Sequence, residues 1–252
     1  MKLKELLKRI NKIIPNLSSE SYPNILINGE NNKNINKVTI ALDWITTTIK
    51  QSAKLKAGLM LVHHGPPNYD AWESKITKQK IALTHKLGLT VYTLPFCLDY
   101  SKYGPNINFC KLLNLKYELL PVIYEGMIIK NAIVRLKGNI KHKYLLEKLR
   151  EFPPSILTIF GKKKFLYKNV IIAAGGGFSW ELIEQTNPDV YISGDINIRA
   201  LRYAQETDIL LIGLTHSSME NFPLRLTAKS LSKYLSIPVK YIEEKEMQLY
   251  VL

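Results

Sequence analysis

Apolar residues fall along the chain in short unbroken runs that alternate with stretches of helical spacing. The runs at 38–42, 58–62 and 89–94 read as buried strands, and the stretches at 44–56, 73–87 and 105–114 read as helices. Short apolar runs bounded by turn residues mark strands covered on both faces, and strands alternating with helices predict parallel pairing. The first fourteen residues place Leu3, Leu6, Leu7, Ile10, Ile13 and Ile14 at helical spacing. That amphipathic pattern lacks the unbroken apolar core a signal peptide needs.

The second half repeats the rhythm. Residues 127–137 alternate like a strand with one exposed face, and 141–151 are helical. Pro153 and Pro154 break the chain before an apolar run at 156–160. Strands at 170–174, 190–193, 209–214 and 239–242 then alternate with helices at 179–186, 196–205 and 223–235. The predicted fold is therefore α/β: two similar, pseudo-duplicated halves with mainly parallel sheets. The halves are 1–120 and 121–252, divided near Pro121, with room for elements to be exchanged between them.

Composition narrows the class. Of 252 residues 46 % are apolar, which excludes collagen, coiled coil and wholesale disorder. No run of 18 apolar residues is present, so no membrane span is expected. Cys97 and Cys110 are too few for a disulfide scaffold or a CxxC metal site, and a reduced, cytoplasmic setting fits. The net charge is +14, an excess that attracts polyanions without choosing among them. Its densest part is 128–168, where 11 Lys and Arg face only Glu147 and Glu151, ending in Lys162, Lys163 and Lys164. This stretch is either a solvated face or a nucleic-acid contact.

In open α/β sheets function collects at the carboxyl ends of strands. Here the strand at 58–62 ends at His63 and His64, and the strand at 89–94 leads to Asp99. The strand at 190–193 ends at Gly194 and Asp195, and the strand at 209–214 runs into His216 with Glu220 four residues on. Residues at i and i+4 share a helix face. Imidazole and carboxylate suit Zn, Fe, Mn or Ni, and an N/O set of this size suits two metals. Gly175, Gly176 and Gly177 stand between a strand and a helix. They either cradle a phosphate at the helix N-terminus or make a tight turn beside the metal site. Phe178 and Trp180 follow as pocket-lining or core residues.

In their order and spacing, several segments together resemble the Nif-three-like (NGG-interacting-factor-three-like) family, whose members are also called type-two GTP cyclohydrolase I homologues. They are SYPNILING at 21–29, GLMLVHHGP at 58–66, LPFCLDYSKYGPN at 94–106, AAGGGF at 173–178, YISGDI at 191–196 and GLTHSSME at 213–220. The resemblance covers nearly the whole chain. It implies two α/β halves with a dinuclear metal centre between them, assembled as a homohexameric toroid. It also implies His63, His64, Asp99, His216 and Glu220 as ligands of two divalent ions (Zn, Fe, Mn, Ni or Mg), with Glu220 or Asp99 bridging. Three positions depart from the pattern: Thr93 and Ser217 replace histidines common in relatives, and Ile25 replaces a glycine.

The resemblance implies a metal-dependent hydrolase acting on a nucleotide or a nucleic-acid-like substrate. Water at the metals would attack, and nearby His or Glu groups would move protons. The alternatives are a non-catalytic hexameric ring that binds nucleic acid, single-stranded DNA included, through its basic surface, and a regulatory scaffold for protein partners.

Overall fold

A strand whose residues are apolar on both faces needs a cover on each, and the run at 38–42 gets one. The computed structural model describes residues 1–14, 24–66, 73–124, 127–151 and 157–244. In chain order the first elements are helix α1 (Leu3–Ile13), strand β1 (Leu26–Ile27), strand β2 (Val38–Asp43) and helix α2 (Thr46–Lys54). Strand β3 (Leu59–His64), helix α3 (Glu73–Lys86), strand β4 (Thr90–Thr93) and the short helix α4 (Pro95–Asp99) follow.

The chain then builds a second unit. It contains α5 (Pro105–Leu112), β5 (Tyr117–Tyr124), β6 (Met127–Leu136), β7 (Ile140–Lys141), α6 (His142–Arg150), β8 (Thr158–Gly161) and β9 (Leu166–Tyr167). It continues with β10 (Val170–Ile172), α7 (Trp180–Thr186), β11 (Val190–Ser193), α8 (Ile198–Gln205), β12 (Leu210–Gly213) and α9 (His216–Glu220). Helix α10 (Leu224–Leu235) and strand β13 (Val239–Tyr241) close the described chain.

The first sheet has the order β1-β4-β3-β2-β13, parallel except for the β1–β4 pair. Alternation of side chains along the strands divides its core in two. Val38, Ile40, Leu59 and Leu61 pack with Leu6 and Ile10 of α1 and Leu231 of α10. Ala41, Met60, Val62 and Val91 pack on the other face with Ile49 of α2. The second unit has its own core, centred on Val170, Ile172, Val190, Ile192, Leu210 and Ile212. Its sheet has the order β5-β6-β10-β11-β12-β8. Strands β10, β11 and β12 are parallel, and the strands on either side of them run antiparallel.

The compact units are Met1–Tyr103 with Leu224–Leu252, and Gly104–Pro223, rather than an even cut near Pro121. Two facts account for the difference. Val239 of β13 pairs with Val38, which returns the C-terminal helix and strand to the first unit. Pro121 lies inside β5, at a register irregularity between Leu120 and Val122. Strand β5 is an edge strand, where a proline without an N–H is tolerated. The expected breaks at Pro153 and Pro154, residue 156 of the apolar run and residues 21–23 of the first motif lie outside the described residues. Among the described residues no helix is long and apolar enough to cross a membrane.

If α10 belongs to the first core, Leu231→Ala should lower the unfolding free energy by about 2–5 kcal/mol. The exposed Lys229→Ala control should stay within about 0.5 kcal/mol of the parent. Urea denaturation of the two variants checks this, and equal small losses would place the helix outside that core.

Candidate metal centre

Strand β3 stops where its apolar residues give way to His63 and His64, in register with the end of β2: Asp43 pairs with His64. His63 is 2 % exposed and His64 is half-buried. Their ring centroids are 4.5 Å apart. Each ring has its Nδ1 engaged. His63 Nδ1 lies 3.1 Å from the Leu94 carbonyl oxygen, and His64 Nδ1 lies 2.8 Å from Asp43 Oδ1. A carbonyl and an ionised carboxylate only accept, so Nδ1–H donates in both neutral rings and the lone pair sits on Nε2. Burial pushes the Asp43 carboxyl up, but its hydrogen bonds to His64 and Glu244 and the two nearby imidazoles together outweigh this and leave it below the usual carboxylate range.

Pro95 opens α4 at a position where a missing N–H costs nothing, and one turn later the helix ends at Asp99. Asp99 Oδ1 stands 3.3 Å from His63 Nε2. Two lone-pair atoms at that distance attract only with a proton or a metal ion between them. Thr93 and Ile25 engage each other: the Ile25 N–H donates to Thr93 Oγ1 at 2.6 Å.

In the second unit Thr215 caps α9, its hydroxyl accepting the Ser218 N–H at 3.0 Å. The helix then sets His216 and Glu220 on one face, with Nε2 and Oε2 2.9 Å apart. Glu220 is 2 % exposed, and His216 Nδ1 lies 2.6 Å from Asp195 Oδ2. Burial opposes protonation of His216, but its bonds to Asp195 and Glu220 prevail and raise its pKa to about 10. A buried carboxylate beside an imidazole already oriented through Nδ1 is an N/O donor pair that could hold a metal ion.

The glycines acquire a steric reason. Gly175 has φ +68°, and a Cβ there would run into the Glu220 carboxylate. A Cβ at Gly194 would come within 2.7 Å of His216 Cα. A Cβ at Gly177 would come within 2.8 Å of the Ala173 Cβ. The Gly175 carbonyl accepts from Gly194 N at 2.9 Å, Asp195 N at 3.2 Å and Ser193 Oγ at 3.1 Å. Gly176 lies beside Asp195 and His216. The turn therefore serves as a close-packed floor under His216 and Glu220. Of the basic triplet, Lys162 Nζ is 3.0 Å from Asp208 and Lys164 Nζ is 2.8 Å from Asp189, so two of the three lysines already have acidic partners.

All five candidate ligands thus lie at the carboxyl ends of strands or in the short helices that follow them, with His63 and Asp99 adjacent in one unit and His216 and Glu220 adjacent in the other. Two carboxylates were missing from that set. Asp43 follows the apolar run at 38–42 much as His63 follows its own, and Asp195 stands at a strand end. An acid immediately after a buried strand was the available signal.

The family profile of Duf34/NIF3 (NGG1p interacting factor 3) matches residues 1–247. A protein of Clostridium perfringens named "GTP cyclohydrolase 1 type 2 homolog" is 24 % identical over 98 % of this chain and 97 % of its own. A protein of the same name from Methanocaldococcus jannaschii is 26 % identical over 95 % of this chain and 98 % of its own. Among solved structures, the Bacillus cereus protein related to NIF3 superposes with a TM-score of 0.82 at 13 % identity, covering 100 % of this chain and 99 % of that one. Reduced HcgD from Methanocaldococcus jannaschii superposes with a TM-score of 0.77 at 24 % identity, covering 96 % and 97 %.

Two outcomes follow from the second unit. Gly175→Ala should cost about 1–2 kcal/mol for the left-handed backbone alone, and more for the collision with Glu220; a thermal melt matching the parent would contradict the packing. Because the raised pKa keeps a proton on metal-free His216 at neutral pH, a metal ion must displace it. Zinc binding to the stripped protein should release protons and weaken about tenfold per unit of falling pH for this ligand. Calorimetry in two buffers of different ionisation enthalpy measures the release, and no release would overturn the assignment.

Proposed function

The chain belongs to the Duf34/NIF3 family, and from that premise we propose that it is a metal-dependent hydrolase of a nucleotide-like substrate. In this reading His63, His64 and Asp99 in one unit and His216 and Glu220 in the other are the ligands of two divalent ions. The observation that carries the reading is the state of the imidazoles. His63, His64 and His216 each have Nδ1 bound to an acceptor, which directs Nε2 to a ligand. Bound divalent ions would supply Lewis acidity, polarising the substrate and acidifying water. The protein's own groups supply position. Glu220 is held against His216 on one turn of helix, and Asp99 against His63.

A cavity of about 440 Å³ in the second unit supports a substrate orientation. It opens beside His216, between Phe160, Ile196, Leu201 and Leu214, and Asp195 stands on its wall. None of the described residues lining it is Lys or Arg. Apolar walls with one carboxylate and the hydroxyls of Thr158 and Thr215 suit a flat ring bearing N–H donors. They do not suit a triphosphate. The base therefore enters next to His216, and the phosphates point away from it. The names of the relatives, at about a quarter identity, agree with a purine nucleotide.

Elemental analysis should find at least two divalent ions per chain, falling to near zero in the His64→Ala, His216→Ala double variant. Unchanged metal content would sink the site. Metal-loaded protein incubated with GTP should release formate, and no product with Zn, Fe, Mn, Ni or Mg would remove the hydrolase reading.

A further inference from the structure

Asp43 and Asp195 occupy equivalent places in separate units, and nothing in the ligand set uses them. Strands β2 and β3 are parallel neighbours, as are β11 and β12. In the first pair β2 ends in Asp43 and β3 in His64; in the second Asp195 follows β11 by two residues and His216 follows β12 by three, and in each the carboxylate reaches the Nδ1 of that histidine. The distances are 2.8 Å for Asp43 and His64, and 2.6 Å for Asp195 and His216. We infer that Asp43 and Asp195 are positioning residues, each locking one metal-holding imidazole in the Nδ1–H tautomer with Nε2 turned to the ion.

The backbones of both aspartates are themselves fixed, as a positioning role requires. The Asp43 N–H donates to Glu244 Oε1 at 2.6 Å, and the Asp43 carbonyl accepts from Thr48 Oγ1 at 2.8 Å. Glu244 reaches Asp43 from the segment after β13, so the C-terminal return of the chain braces the site in the first unit. The Asp195 N–H donates to the Gly175 carbonyl at 3.2 Å, the same turn that packs against Glu220. His63 provides an internal contrast, because a neutral backbone carbonyl takes its Nδ1–H. A carboxylate partner makes the ring a stronger donor than a carbonyl does, and loss of such a partner typically lowers metal affinity by about 10–100-fold. His64 and His216 thus have a carboxylate at Nδ1, whereas His63 has the Leu94 carbonyl there.

This inference rests on the reading of His64 and His216 as metal ligands, and the experiment separates the two. Zinc or cobalt is loaded into the 252-residue chain, and its transfer to a chelator is timed for Asp43→Ala, Asp43→Asn, Asp195→Ala and Asp195→Asn. Each alanine variant should release metal about 10–100-fold faster than the parent. Each asparagine variant, which keeps an acceptor and the side-chain volume but loses the charge, should fall between, and it covers the case of an alanine variant that does not fold. The visible bands of the cobalt form should shift in both aspartate series. In a His64→Ala background, Asp43→Ala should add less than threefold, because its effect passes through that ring. Parent release rates and an unchanged cobalt spectrum in the aspartate variants, with metal lost in His64→Ala and His216→Ala, would overturn the positioning role alone. Metal retained in those histidine variants would overturn the ligand assignment beneath it.

Discussion

Asp43 meets His64 because Val38 pairs with Leu59 and the parallel register runs from there to the ends of both strands. A slip of one residue would send every side chain of one strand to the opposite face. The register is protected by burial on both faces: Val38 and Ile40 serve one core and Ala41 the other. The site chemistry of the first unit therefore depends on apolar packing several residues away. The second unit depends on the same kind of register between β11 and β12, where Ser193 lies opposite Gly213 just before Asp195 and His216.

Close approach is the second constraint. A buried carboxylate such as Glu220 persists only where neighbours compensate its lost hydration. Here His216 stands against it, and the Gly175 turn closes over both. Any side chain at Gly175 would occupy the carboxylate's place. The triple glycine thus makes sense as the surface against which the donors are packed, with its carbonyl committed to the residues leading into Asp195.

The charge excess has a more local character than its size suggested. Asp189 takes the Lys164 ammonium and the N–H groups of Lys168 and Asn169, so part of the basic stretch is spent on holding the approach to β10. Lys162 leans on Asp208. The cavity beside His216 is lined by a carboxylate and apolar groups instead. Among the described residues, the basic stretch 128–168 and the lining of that cavity meet only at Thr158 and Phe160.

Periodicity alone determined the α/β class and most of the strands and helices, because apolar runs of strand length and apolar residues at helical spacing bury in only a few ways. It also placed His63, His64, Asp99, Asp195, His216 and Glu220 at or just after the ends of apolar strands, where a parallel sheet presents its chemistry, and the family resemblance implied five of them as ligands. Tertiary structure alone decided the rest. The division of the chain follows the pairing of β13 with β2, a contact between residues some two hundred positions apart that no local pattern announces. Pro121 looked like a boundary and proved to be an edge-strand residue, because a strand's place in its sheet is a property of its neighbours. The roles of Asp43 and Asp195 were equally hidden. Which nitrogen of an imidazole carries the proton depends on the acceptor facing it, and that acceptor comes from another strand.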